Sequence, residues 1–214
     1  MLREKITSLK KAVLAYADLV EGMLDKSIRG ILTTNKNLLE EVIEKDEPKS
    51  NDYDGLLDEI CTNAIAQFEP KASDLRTILM ILKMNNDLER IGDHAVNICE
   101  SGLSLDEKPP EEIAAMAQKA AKMFKDSIAA FSDKNPALAV KVCRDDSAFD
   151  KLGDKILKEL FPSTNHIKAV KQSLHFIRIA HNLERIGDLS TNICEDVIFI
   201  LEGKVIKHHK EQKG

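Results

Sequence analysis

Tryptophan is absent from the 214 residues, aromatic side chains amount to 4% of them, and there are only nine glycines and six prolines. A sheet protein needs β-branched and aromatic residues gathered into strands and turn residues between them, and this chain concentrates neither. There is no excess of basic charge, since the formal net charge is −5, so a nucleic-acid surface is not expected. No apolar run approaches the eighteen residues of a membrane span. The N-terminus MLREKITSLKK lacks the apolar core of a secretion signal. The four cysteines, Cys61, Cys99, Cys143 and Cys194, stand far apart with no CxxC pair, which suits reduced core residues in the cytoplasm. A glycine-rich phosphate loop, a nucleophile elbow and a Cys/His pair are all missing, so no catalytic set is expected. Nor is there any Glu-x-x-His, which a carboxylate-bridged di-metal enzyme in a helical bundle would need on two helices.

What the chain does contain, it contains twice. Residues 88–100 read LERIGDHAVNICE and residues 183–195 read LERIGDLSTNICE, with ten of thirteen positions identical. Leu79, Leu82, Leu88, Ile91 and Ile98 recur at helical spacing around the first copy, and Leu174, Ile177, Leu183, Ile186 and Ile193 around the second. Each copy therefore belongs on a helix, where residues four apart share a face. That places Glu89, Asp93 and Asn97 in one column and Glu184, Asp188 and Asn192 in another.

Along the chain, helices are expected over 2–35, 37–45 and 56–68, with DEPKSNDYDG as a loop between the last two. A third long helix starts near Ser73 and runs to about Leu103, past the first motif. Pro109-Pro110 is the sharpest break. Helices then follow over 111–131, capped 136–160 after Asn135, and on to about Glu202 with Gly203 beyond, the last one starting after a stop at Pro162 and a cap at Ser163. Met23 to Ile28 matches Met123 to Ile128 at an offset of 100, while the motifs match at 95. The fold expected is all-α: two tandem three-helix bundles related by a pseudo-two-fold, residues 1–106 and 107–214.

The middle helices add acids. Asp146, Asp150 and Asp154 recur every four residues, and at an offset of 96 their partners are Ser50, Asp54 and Asp58, with Asp46 displaced ahead of the extra residues. If middle and third helices pack side by side, each bundle gathers four or five carboxylates. Like charges so gathered repel unless a cation lies among them, and an oxygen-only donor set suits magnesium, calcium, manganese or iron. A solvated acidic face, partly neutralised by Arg90 and Arg185, is the plain alternative for one such column; the second copy favours a cation. His94, replaced by Leu189 in the second copy, suits a surface or packing role, and the tail with His208 and His209 reads as a basic end.

The duplicated three-helix unit, with Glu-x-x-x-Asp inside LERIGD-x-x-x-N-I, closely resembles the PhoU family over about residues 5–202. The resemblance implies a non-enzymatic regulator of phosphate uptake that represses the phosphate-starvation response from the cytoplasm, contacting the phosphate ABC transporter ATPase and a sensor histidine kinase at the inner membrane face, or else a phosphate permease. It also implies multinuclear metal clusters on carboxylates, of iron first, with zinc, manganese or magnesium as alternatives. Carried over by position, Glu89, Asp93, Glu184 and Asp188 match the family's acidic motif, and Asp54, Asp58, Asp146, Asp150 and Asp154 its middle-helix acids. A homodimer is also expected.

Overall fold

The computed structural model describes residues 2–159 and 167–203, with the side chains of residues 154, 157–159 and 167–169 outside that description. Pro162, Ser163, His208 and His209 lie outside the described residues. The described chain is helical without strands: α1 (Leu2–Thr33), α2 (Lys36–Glu41), a π turn (Val42–Asp46), α3 (Glu47–Phe68), α4 (Ser73–Leu103), α5 (Glu111–Ser132), α6 (Pro136–Glu159) and α7 (Ile167–Glu202). α2, the π turn and α3 run on as one rod, so there are six long helices, three in each repeat.

Local chemistry sets the turns, and the repeat copies them. Thr34 and Lys134 adopt left-handed backbone (φ 53° and 52°), and the amides of Asn35 and Asn135 close back on the carbonyls of Gly30 and Ala130 at 2.9 Å. This six-residue closure satisfies carbonyls that the end of a helix leaves open. The same asparagines then cap the next helix, each accepting from the amide three residues on, Leu38 at 3.4 Å and Leu138 at 3.0 Å. Inside the first helix of each repeat, Ser27 and Ser127 donate to the carbonyls of Leu24 and Phe124. Gly203 ends α7 at φ 71°, as expected.

The loop expected at DEPKSNDYDG is instead helix. Its Pro, Gly, Asn and Asp favour turns locally, but Val42, Asp46, Ser50 and Leu57 are buried along one side of the rod, and that packing overrides weak propensity. The difficulty posed by Pro48, which has no N–H to donate, is met by the π turn just before it: the Glu47 amide reaches back to the Val42 carbonyl, one residue further than in an α-helix. The π turn also resets the repeat. Ahead of it Leu39 and Val42 match the buried Ala139 and Val142 at an offset of 100; after it Ser50 and Leu57 match the buried Phe149 and Ile156 at 99. The register is thus 99, not the expected 96, and Ser50 occupies the place of Phe149 rather than of Asp146.

α4 and α7 form the central pair and run antiparallel. Arg76 near the start of α4 donates to the Ile200 carbonyl near the end of α7 at 3.2 Å and lies over the Phe199 ring, while at the other end the Gln172 side chain holds the Ser104 carbonyl and Asp106 amide at 3.3 Å. α1 and α3 pack on α4, α5 and α6 on α7, and α1 meets α5. The apolar core is continuous through both repeats, with Tyr16, Phe124, Leu88 and Leu183 fully buried. Leu79 and Leu174, expected in the buried stripe, are exposed (39% and 55%) at equivalent positions of α4 and α7.

Close approach requires the motif glycines unequally. A Cβ on Gly187 would lie 2.7 Å from the Phe149 ring, whereas one on Gly92 would meet only Ser50 Oγ at 3.1 Å and the flexible Met23 methyl at 3.6 Å. Alanine gains about 1 kcal/mol over glycine in a helix interior, while overpacking a core costs about 1–3 kcal/mol. Gly187→Ala is therefore expected to lower stability and Gly92→Ala to change it little, read as thermal midpoints. The reverse order would contradict a register that sets Phe149 against Gly187 and Ser50 against Gly92.

Candidate metal-binding carboxylate faces

In the first repeat, α4 carries a half-buried Glu89 and an exposed Asp93, and α3 brings up Asp54 and Asp58. Asn85, one turn before Glu89 and fully buried, joins the two helices. Its amide nitrogen donates to the Asp54 carbonyl at 3.0 Å, to Asp54 Oδ1 at 2.7 Å and to Asp58 Oδ1 at 3.0 Å. Burial, then Asp58, raises the Asp54 carboxyl above its usual range, with Asn85 opposing. Burial, then Asp93 and Asp54, raises Glu89. Beneath them Tyr16 bonds Ser50 Oγ at 2.9 Å and stacks on Tyr53, and burial holds its phenol protonated well above the usual range. Asp46 stays apart from this set, being tied to Lys26 at 2.7 Å and Lys49 at 3.4 Å.

The second repeat draws its acids closer. Asp146 and Asp150 on α6 and Asp188 on α7 each place an oxygen within 4.8 Å of the others. Glu184 lies one turn before Asp188; burial, then Asp188, raises its carboxyl, with Asp150 adding to the effect. Arg185 contacts Asp188 at 3.0 Å and His181 approaches Glu184 at 3.9 Å. The Asp154 side chain lies outside the described residues. Among the described residues this is the one trio of carboxylates that converges, and the first repeat has no equal because its middle-helix register differs. Three oxygens at that spacing can share one ion at metal–oxygen distances of about 2.0–2.6 Å, and the all-oxygen set fits a hard cation. Asn192, the third member of the second column, hydrogen-bonds Asp87 on α4.

The sequence model of the PhoU domain matches this chain twice, over residues 13–102 and 113–197. The chain belongs to the PhoU family. The phosphate-specific transport system accessory protein PhoU homolog of Aquifex aeolicus (strain VF5) is 33% identical over 223 residues, covering 100% of this chain and 99% of that relative. Homolog 2 of Thermotoga maritima is 31% identical over 99% of this chain and 92% of its own length. Among solved structures, PhoU from Pseudomonas aeruginosa superposes with a TM-score of 0.91 at 29% identity, over 95% of this chain and 100% of that one. The phosphate transport system regulatory protein PhoU from Streptococcus pneumoniae superposes with a TM-score of 0.89 at 23% identity, over 97% and 100%, a likeness of fold.

Sequence reasoning passed over Asn85, Asp87 and Asp196. Asn85 could have been found as the residue one turn ahead of Glu89; Asp87 and Asp196 lie far apart in sequence and no spacing links them. Cys143 and Cys194 likewise meet thiol to thiol across α6 and α7.

The raised carboxyls carry a pH signature. A folded pKa above the unfolded one means that the folded chain keeps protons the unfolded chain has released, so stability falls as pH rises through that window. Asp87 has the widest, from 3.8 to about 6, through burial first and Asp196 second. Thermal midpoints of metal-free protein are expected to fall more steeply across this range in the parent than in Asp87→Asn; equal slopes would mean Asp87 is not so perturbed.

Proposed function

We propose that this chain is a non-enzymatic accessory and regulatory protein of phosphate transport, which limits uptake and represses the phosphate-starvation response through its metal-bearing helical faces. The observation that carries the reading is the match along nearly the whole chain to phosphate-specific transport system accessory proteins. The paired acidic faces are its physical complement. Glu184, Asp188, Asp146, Asp150 and Asp154 would hold metal on the second repeat, and Glu89, Asp93, Asp54 and Asp58 on the first, the two units dividing at 106/107. Iron is the first choice of metal, with zinc, manganese or magnesium as alternatives. Metal there neutralises clustered carboxylates and stiffens the helix pair that presents them.

The partners that fit this role are the ATPase subunit of a phosphate ABC transporter and a sensor histidine kinase at the inner face of the membrane, met by a cytoplasmic homodimer. Among the described residues no helix is long and apolar enough to cross a membrane, so contact would be peripheral. Capture of the kinase together with the transporter ATPase on immobilised chain supports this reading. Capture of a phosphate permease alone would replace it with an accessory role at that permease.

Elemental analysis of untagged protein purified without added metal is expected to find several equivalents per chain. Glu184→Ala with Asp188→Ala should remove those of the second repeat while the far-ultraviolet circular dichroism stays helical. Collapse of the helical signal would instead make these acids structural.

A further inference from the structure

The two-fold relation of α4 and α7 gives their seam two equivalent ends, and the chain fills them differently. At one end Asp87 and Asp196 line an open cleft of about 470 Å³, with Lys83, Asn86, Asn192 and Glu195 around them. At the other end the positions equivalent to Asp87 and Asp196 are Asn182 and Ser101. The neutral end is closed: Asn182 donates to the Arg178 carbonyl at 2.7 Å, its oxygen meets His94 Nδ1 at 2.8 Å, and Ser101 is fully buried, its uncharged Oγ also without a hydrogen-bond partner. The same helix pair thus closes without carboxylates, and packing does not require those at the acidic end.

Those carboxylates are costly where they stand. Asp87 is 8% exposed and Asp196 5% exposed. Lys83 reaches Asp196 Oδ1 at 2.6 Å, but Oδ2 of Asp196 is buried with no hydrogen-bond partner. A buried carboxylate oxygen left unmet is a strong penalty, and two carboxylates across one seam add mutual repulsion. The Asp87 carboxyl is correspondingly raised, with Asp196 the second cause after burial. The donor set is oxygen-rich: two carboxylates, the Asn192 and Asn86 amides, and Glu195 at the rim. Among the described residues Lys83 is the cation that lines the cleft, with Arg90 also acting on Asp87; the Lys83 side chain is 61% exposed, so it can swing aside.

We propose that this cleft is a second kind of cation site, binding a hydrated divalent ion of the magnesium, manganese or calcium class through Asp87 and Asp196 across the α4–α7 seam. The Asn192 oxygen and retained water complete the shell. The cleft is far larger than a bare ion, which suits a cation that dehydrates reluctantly and keeps several waters. Lys83 is then the competitor: its ammonium holds Asp196 in the ion's absence and yields to it. Because Asp87 belongs to the first repeat and Asp196 to the second, the ion would clamp one repeat to the other, a role distinct from the faces carrying Glu-x-x-x-Asp. The proposal does not rest on the regulatory reading above.

The test is a titration of chelator-stripped chain with manganese, with free ion read by electron paramagnetic resonance. Asp87→Asn with Asp196→Ser copies the neutral end of the seam, so the fold should hold, and it is expected to bind one equivalent fewer than the parent. The Glu89→Ala, Asp93→Ala, Glu184→Ala, Asp188→Ala variant should retain that equivalent. Lys83→Met, which removes the competitor, should bind it several-fold more tightly. An unchanged count in the folded double variant would overturn the site. Should the double variant fail to fold, unchanged manganese affinity in Lys83→Met would overturn it just as well.

Discussion

The antiparallel packing of α4 on α7 is the contact on which every other placement in this protein depends. Both helices carry the repeated motif, both bury one side against their own bundle, and both present another side to each other. Leu88, Ile91, Leu183 and Ile186 are fully buried, so rotating either helix would expose apolar surface worth about 25 cal/mol for each Å². With that rotation set, Glu89, Asp93, Glu184 and Asp188 are left at the rim of their bundles, beside the middle helices. The carboxylate faces are a consequence of which way the seam turns.

The two faces began as copies and have diverged in a way that electrostatics explains. In the first repeat the leading acid, Asp46, is neutralised by Lys26, a lysine where the second repeat has Asp126. Asn85 binds Asp54 and Asp58 together where the second repeat has Ala180. In the second repeat Asp146 and Asp150 converge on Asp188. One face therefore meets its like-charge repulsion partly with protein donors. The other gathers three carboxylates within reach of one point, which makes it the better formed candidate site.

Much of this was legible in sequence. Six long helices, the breaks at Asn35, Pro109-Pro110 and Gly203, and the pairing of Glu89/Asp93 with Glu184/Asp188 follow from periodicity, capping residues and an internal repeat, all of which are local. The reading failed where local rules met tertiary packing. DEPKSNDYDG has the composition of a loop, yet Ser50 and Leu57 are buried along a continuous rod, and a π turn takes up the strain that Pro48 introduces. The middle-helix offset of 96 pairs Leu152 with Leu56, which is 49% exposed and so does not report the packing; the buried residues give 99.

The sequence by itself determined the class of the fold, its duplication and the helix that carries each acidic motif, since these rest on spacing within one element. It could not decide which acids meet. Asp146, Asp150 and Asp188 converge, Asp87 finds Asn192, and Asp196 takes Lys83 only because separate helices pack at a given rotation and register. Those two quantities depend on side chains interlocking across the whole core, and no stretch of the chain holds that information alone.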